Sequence, residues 1–214
     1  MALRAKICGL TRPEDAATAV AGGADLLGVV FAGGPRVVDV RTAGAIRAAA
    51  GHVPVLGVFG EQPIEQILHI VRSAELDGAQ LHGAYDRDNA ARLRAEGLLV
   101  WRVGRIAATA EAAALLKLTD AADAVLVEPR VSQALGGTGV ALDLDLACRA
   151  RDVLANATMV LAGGLTPESV AAAAALVRPD IVDVSSGVER LPGIKDPDKI
   201  ARFLEAVVGH SAIN

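Results

Sequence analysis

The chain has 214 residues, of which 52% are hydrophobic and only 2% aromatic, and its formal net charge is −4. That length fits one domain, read as residues 1–214, and the small apolar side chains suit Ala-rich helices packed on a buried parallel sheet. The absence of a basic tract argues against nucleic acid, and the absence of an apolar run of about 18 residues argues against a membrane span.

The N-terminus shows no apolar run followed by a cleavage site, so a cytoplasmic location is expected. Two cysteines, Cys8 and Cys148, make a disulfide framework an unsuitable reading. A phosphate ligand stays open despite the negative charge, because backbone N–H groups bind anions without net positive charge.

In chain order, short β-branched runs alternate with Ala-rich segments punctuated by charge. Strands are expected at Ala5–Cys8, Leu26–Phe31, Val55–Phe59, Gly78–Leu81, Leu98–Val103, Ala124–Val127, Met159–Ala162 and Ile181–Val184. Helices are expected at Pro13–Ala21, Arg41–Ala50, Ile64–Ser73, Asp88–Glu96, Ala110–Leu118, Asp145–Leu154, Pro167–Leu176 and Pro197–Val207. Thr11-Arg12-Pro13-Glu14 reads as a capping box, and Thr166 and Asp196 each precede a proline as N-caps. Eight such units in so short a chain favour an α/β fold closed as a (β/α)8 TIM barrel over an open sheet.

In such a barrel, chemistry gathers where strands end. Glycines and polar residues cluster at those places. Gly136-Gly137-Thr138-Gly139 follows the sixth strand, Gly163-Gly164 the seventh and Ser185-Ser186-Gly187 the eighth. They read either as tight turns or as a phosphate cradle, since glycine lets backbone approach an anion and serine adds donors.

Cys8 ends the first strand, with Lys6 on the same face. A neighbouring ammonium favours thiolate, which would make Cys8 a base or nucleophile; the other reading is a buried core cysteine. Glu128 follows an apolar strand and suits either a general acid or a solvated loop carboxylate. Arg36, in the loop after the second strand, can grip a substrate carboxylate or lie on the surface. Gln80 and His82 share a face of the fourth strand, His82 being either a site residue or a structural one. Asp183 shares a face with Ser185 and reads chiefly as an acceptor inside the barrel.

The order of Lys6-Ile7-Cys8-Gly9-Leu10-Thr11, Gln80-Leu81-His82-Gly83, Gly136-Gly137-Thr138-Gly139, Leu161-Ala162-Gly163-Gly164-Leu165, Asp183-Val184-Ser185-Ser186-Gly187-Val188-Glu189 and Pro192-Gly193-Ile194-Lys195-Asp196 resembles the phosphoribosylanthranilate isomerases of tryptophan biosynthesis. The resemblance runs from Lys6 to about Phe203. It implies an Amadori rearrangement of N-(5-phosphoribosyl)anthranilate with no cofactor and no metal, by a monomer or homodimer. Cys8 takes the place of the base and Glu128 that of the general acid. Arg36 is matched to the anthranilate-binding arginine. Lys6, Gln80, His82, Gly137, Thr138, Gly163, Gly164, Asp183, Ser185, Ser186 and Gly187 would complete the substrate site.

Three departures lie near the anthranilate end. Glu128 replaces the usual aspartate, Ala32-Gly33-Gly34-Pro35-Arg36 is smaller than the usual loop, and Leu142-Asp143-Leu144 lacks the family's aromatics. They keep open a divergent relative acting on another N-phosphoribosyl amine, or a barrel that only binds phosphate ligands.

Overall fold

The structure is a computed structural model that describes residues 2–130 and 143–211. Gly136, Gly137, Thr138, Gly139 and Leu142 therefore lie outside the described residues.

Eight parallel strands close on themselves: β1 (Arg4–Ile7), β2 (Leu26–Val30), β3 (Val55–Phe59), β4 (Gly78–Leu81), β5 (Leu99–Ile106), β6 (Ala124–Pro129), β7 (Met159–Leu161) and β8 (Ile181–Val184). Closure comes from β1 pairing with β8, where Lys6 sits opposite Asp183. Around the barrel run α1 (Pro13–Ala21), α2 (Val40–Ala49), α3 (Ile64–Ser73), α4 (Arg87–Ala95), α5 (Leu144–Val153), α6 (Val170–Val177) and α7 (Pro197–Ser211). A short antiparallel hairpin, β9 (Glu189–Leu191) with β10 (Ile194–Lys195), follows β8.

Two apolar cores result from the two-residue alternation of the strands. Outward-facing residues such as Ile7, Leu27, Val29, Val125 and Val182 pack under the helices. Inward-facing Leu26, Leu56, Trp101, Ala124, Leu126, Val160, Ala162 and Ile181 fill the barrel as a separate cluster. With so few aromatics, Trp101 carries much of that interior, and Lys6 Nζ lies 5.3 Å from its ring centroid.

Several local expectations are corrected. Between β5 and β6 the chain forms a 3₁₀ helix at Thr109–Leu118 instead of an α-helix. Its buried residues, Ala112 and Leu115, recur every three positions, the 3₁₀ repeat. The fifth strand runs on through Gly104 to Ile106, and a side chain at Gly104 would collide with Leu115 of that helix. Glycine here is a packing residue inside a strand, not a strand end.

Thr11 does not cap α1: Arg12 occupies the N-cap, and the Thr11 hydroxyl donates to the Gly193 carbonyl of the hairpin. Thr166 does not cap α6 either, because residues 167–169 form a turn and Ser169 holds the N-cap. Asp196 does accept from the Asp198 and Lys199 amides at the start of α7. Among the described residues, a full capping box lies at α4, between Asp86 and Asn89.

Candidate active site

The inward positions change character toward the carboxyl ends of the strands. Above Trp101 lie Lys6, Gln80 and Asp183, all buried. Lys6 Nζ donates to Asp183 Oδ1 at 2.7 Å and to Gln80 Oε1 at 2.9 Å. Burial opposes the Lys6 charge, but Asp183 and Cys8 outweigh it and raise the ammonium above its ordinary value. One step further out, Cys8 follows β1 and its amide donates to the Val184 carbonyl at 2.8 Å. Gly28 opens the room for this arrangement. A Cβ there would come within 2.8 Å of Cys8 Sγ and 3.1 Å of Lys6 Cε.

The expected activation of Cys8 by Lys6 is only half of the balance. Burial raises the thiol and Asp183 adds to it, while Lys6 and Lys195 pull the other way, and the net direction is up. A neighbouring cation lowers a thiol less than burial raises it when the sulfur is this enclosed. Cys148, on α5, is half-buried against the Leu176 carbonyl and stands apart from this cluster.

Glu128 is part of β6, not of the loop after it. Its Oε1 lies 2.7 Å from His82 Nε2 and accepts from Arg105 Nε at 3.0 Å. Arg105, opposite Glu128 in the β5–β6 register, also donates to the His82 carbonyl at 2.8 Å and lies 2.6 Å from His82 Nδ1. Sequence reasoning missed Arg105 because the fifth strand was expected to end at Val103, two residues short of it. Continuing the alternation from Trp101 through Val103 would have found it.

Arg36 is nine-tenths enclosed, not a surface arginine. Its Nε and Nη2 donate to the two oxygens of Glu189, each at 2.7 Å. Those bonds raise the guanidinium further. Lys195, wholly buried, donates to Glu189 Oε1 at 2.9 Å and to the Ser185 carbonyl at 3.0 Å. Burial lowers Lys195 despite Glu189; Glu189 is raised by burial, but the Arg36 and Lys195 bonds outweigh this and hold it below the usual carboxylate range. The stem of Arg36 crosses Gly9, where a Cβ would come within 2.6 Å of both Arg36 Cδ and Ser185 Oγ.

Gly163 and Gly164 follow β7 with φ of 104° and 66°, the left-handed region that favours glycine. Gly187 is packed so closely that a Cβ would run into the Leu165 carbonyl oxygen. The loops after β7 and β8 thus lie against each other, with Ser185 and Ser186 partly exposed. Among the described residues, no group of three or more His, Cys, Asp or Glu is placed to hold a metal ion.

A closed parallel barrel that gathers a thiol, a carboxylate–imidazole pair and an enclosed arginine at its strand ends defines a (β/α)8-barrel enzyme equipped for acid–base chemistry. A sequence-family profile for N-(5'-phosphoribosyl)anthranilate isomerase matches residues 5–206, and the chain belongs to that family. It is 42% identical to the isomerase of Pseudomonas fluorescens Pf-5 over 96% of each chain. It is 41% identical to that of Roseiflexus castenholzii, covering 94% of this chain and 96% of the relative. The crystal structure of the Thermotoga maritima isomerase superposes with a TM-score of 0.87 at 33% identity, covering 97% of this chain and 99% of that one. An isomerase structure in complex with reduced 1-(o-carboxyphenylamino)-1-deoxyribulose 5-phosphate gives 0.84 at 32%, with the same coverage.

Proposed function

We propose that this barrel converts N-(5-phosphoribosyl)anthranilate to 1-(2-carboxyphenylamino)-1-deoxyribulose 5-phosphate, the isomerisation step of tryptophan biosynthesis, with Cys8 and Glu128 as its base and acid. Glu128, in its hydrogen bond with His82, gives a proton to the ribose ring oxygen as the C1–O bond breaks, leaving a C1=N Schiff base. The Cys8 thiolate then removes the C2 proton. The electron pair of that C–H bond becomes the C1=C2 bond as the C1=N π pair returns to nitrogen, giving an enolamine, which takes a proton at C1 as the C2 hydroxyl gives up its own and becomes the ketone. No atom is gained or lost.

Arg36 holds the anthranilate carboxylate in this reading. The phosphate lies on Gly163, Gly164, Ser185, Ser186 and Gly187, at the loops after β7 and β8 where barrels commonly bind phosphate. Gly137 and Thr138 are assigned to the same site from sequence alone. Lys6, Gln80 and Asp183 act from the barrel floor, Lys6 and Asp183 through their charge on Cys8.

The observation that carries the reading is the convergence at one barrel end. Cys8 and Glu128 take inward strand-end positions, and the Arg36 stem crosses the residue after Cys8. The family match supports the substrate. We also read the chain as one domain over residues 1–214, a monomer or homodimer in the cytoplasm that binds no nucleic acid. A solved relative is described as monomers of the dimeric Thermotoga maritima isomerase, and no helix among the described residues is long and apolar enough to cross a membrane. Expression in a tryptophan auxotroph lacking this isomerase tests the function. Growth without tryptophan is expected, and failure of a well-expressed chain to restore it would overturn the reading in favour of another N-phosphoribosyl amine or of phosphate-ligand binding without turnover.

A further inference from the structure

We propose that Glu189, on the hairpin after β8, is a positioning residue that sets selectivity for a carboxylate-bearing aglycone by presenting one edge of Arg36 to the substrate. The inference rests on the reading that Arg36 meets the anthranilate carboxylate.

A guanidinium has five N–H donors in a fixed planar fork. Glu189 takes the side edge, Nε and Nη2, with two bonds of 2.7 Å. That leaves the end edge, one N–H each on Nη1 and Nη2, in parallel alignment. This edge matches a second carboxylate bidentately. A loop-borne arginine with a free stem would sample many orientations. Here its stem crosses Gly9 and its head is locked by a buried carboxylate, so the direction of the open edge is fixed before substrate arrives.

Charge points the same way. Glu189 carries one negative charge and touches two cationic side chains, Arg36 and Lys195. Asp183 is taken by Lys6, so it does not balance the second cation. The cluster has room for one more negative charge, next to Cys8. A substrate carboxylate supplies it, whereas a neutral aglycone does not. The hairpin is itself tied to the barrel entry. Thr11 donates to the Gly193 carbonyl, Lys199 Nζ donates to the Glu189 carbonyl, and the Lys195 amide donates to Asp15.

The test compares Glu189→Gln and Arg36→Met with two substrates, N-(5-phosphoribosyl)anthranilate and its aniline counterpart, which lacks the carboxylate. Arg36→Met is expected to raise KM for the anthranilate substrate about tenfold to a hundredfold, the range of a lost charge-assisted contact, and to leave the aniline substrate within about threefold. Glu189→Gln is expected to raise the same KM about fivefold to thirtyfold with kcat little changed, again sparing the aniline substrate. If Arg36→Met slows both substrates equally, the assignment of Arg36 fails. If Arg36→Met discriminates and Glu189→Gln does not, Glu189 is only structural and the proposal is overturned. Should Glu189→Gln strand the Lys195 ammonium and fail to fold, the double variant Glu189→Gln/Lys195→Met carries the same comparison.

Discussion

Two ionic clusters flank Cys8, and they are built in different ways. The floor cluster, Lys6–Asp183–Gln80, comes entirely from inward positions of β1, β8 and β4, and its lysine is fully buried. The rim cluster, Arg36–Glu189–Lys195, comes from the loop after β2 and the hairpin after β8, parts that the barrel does not place by itself. The floor acts on the thiol through Lys6 and Asp183, joined by Lys195 of the rim and by burial; the rim offers the place where a carboxylate can dock. A barrel can therefore vary its aglycone through loops while the proton-abstracting centre stays in the strands.

The largest effect expected from the floor side is that of Cys8→Ala. Turnover should fall by about a thousandfold or more while KM changes little, because the thiolate acts in the transition state. Cys148→Ala, far from the cluster, should leave kcat/KM unchanged. Steady-state kinetics of the two variants separate chemistry from packing, since equal losses would mean that cysteine removal merely loosens the fold.

Glu128→Gln should also abolish turnover, because an amide cannot give up a proton at useful pH. Glu128→Asp sharpens the comparison. The carboxylate would retreat by one methylene from His82 Nε2 and Arg105 Nε, which now lie 2.7 and 3.0 Å away. A loss of about 1–3 kcal/mol in transition-state stabilisation is expected, roughly ten to a hundredfold in kcat/KM. Unchanged activity in Glu128→Asp would mean that His82 and Arg105 do not set the reach of this group.

The smallest expected effect lies outside both clusters. Gly104→Ala would push a methyl group into Leu115, at a cost of about 1–3 kcal/mol in stability measured by urea unfolding. Activity at low temperature should survive, unless the strain displaces the neighbouring Arg105.

The sequence made the strand-borne parts legible because a two-residue period tells which side chains point inward. Lys6, Cys8, Gln80, His82 and Asp183 followed from it, whereas Glu128 was read only as the carboxylate after an apolar strand. Arg105 was lost because the fifth strand was expected to end at Val103, while it runs on to Ile106. Glu189 and Lys195 appeared in family-like motifs, but no periodicity ties a hairpin to a loop 153 residues earlier. Thr11 looked like a cap because a hydroxyl before a proline is a local signal, while its actual partner, Gly193, lies 182 residues away. The Cys8 direction was missed for a similar reason. A sequence names the lysine two residues away but does not weigh it against burial.

Whether the Cys8 thiolate is the base is decided by the pH dependence of kcat/KM set beside the ultraviolet thiolate titration of the chain minus that of Cys8→Ala. Burial outweighs Lys6 and raises the thiol, so the reactive thiolate is lost as pH falls and gained as pH rises past the ordinary thiol range. Both curves should rise along the same limb, displaced above the ordinary thiol range. A kcat/KM that is level from neutral pH upward while the Cys8 thiolate is still forming would contradict the assignment.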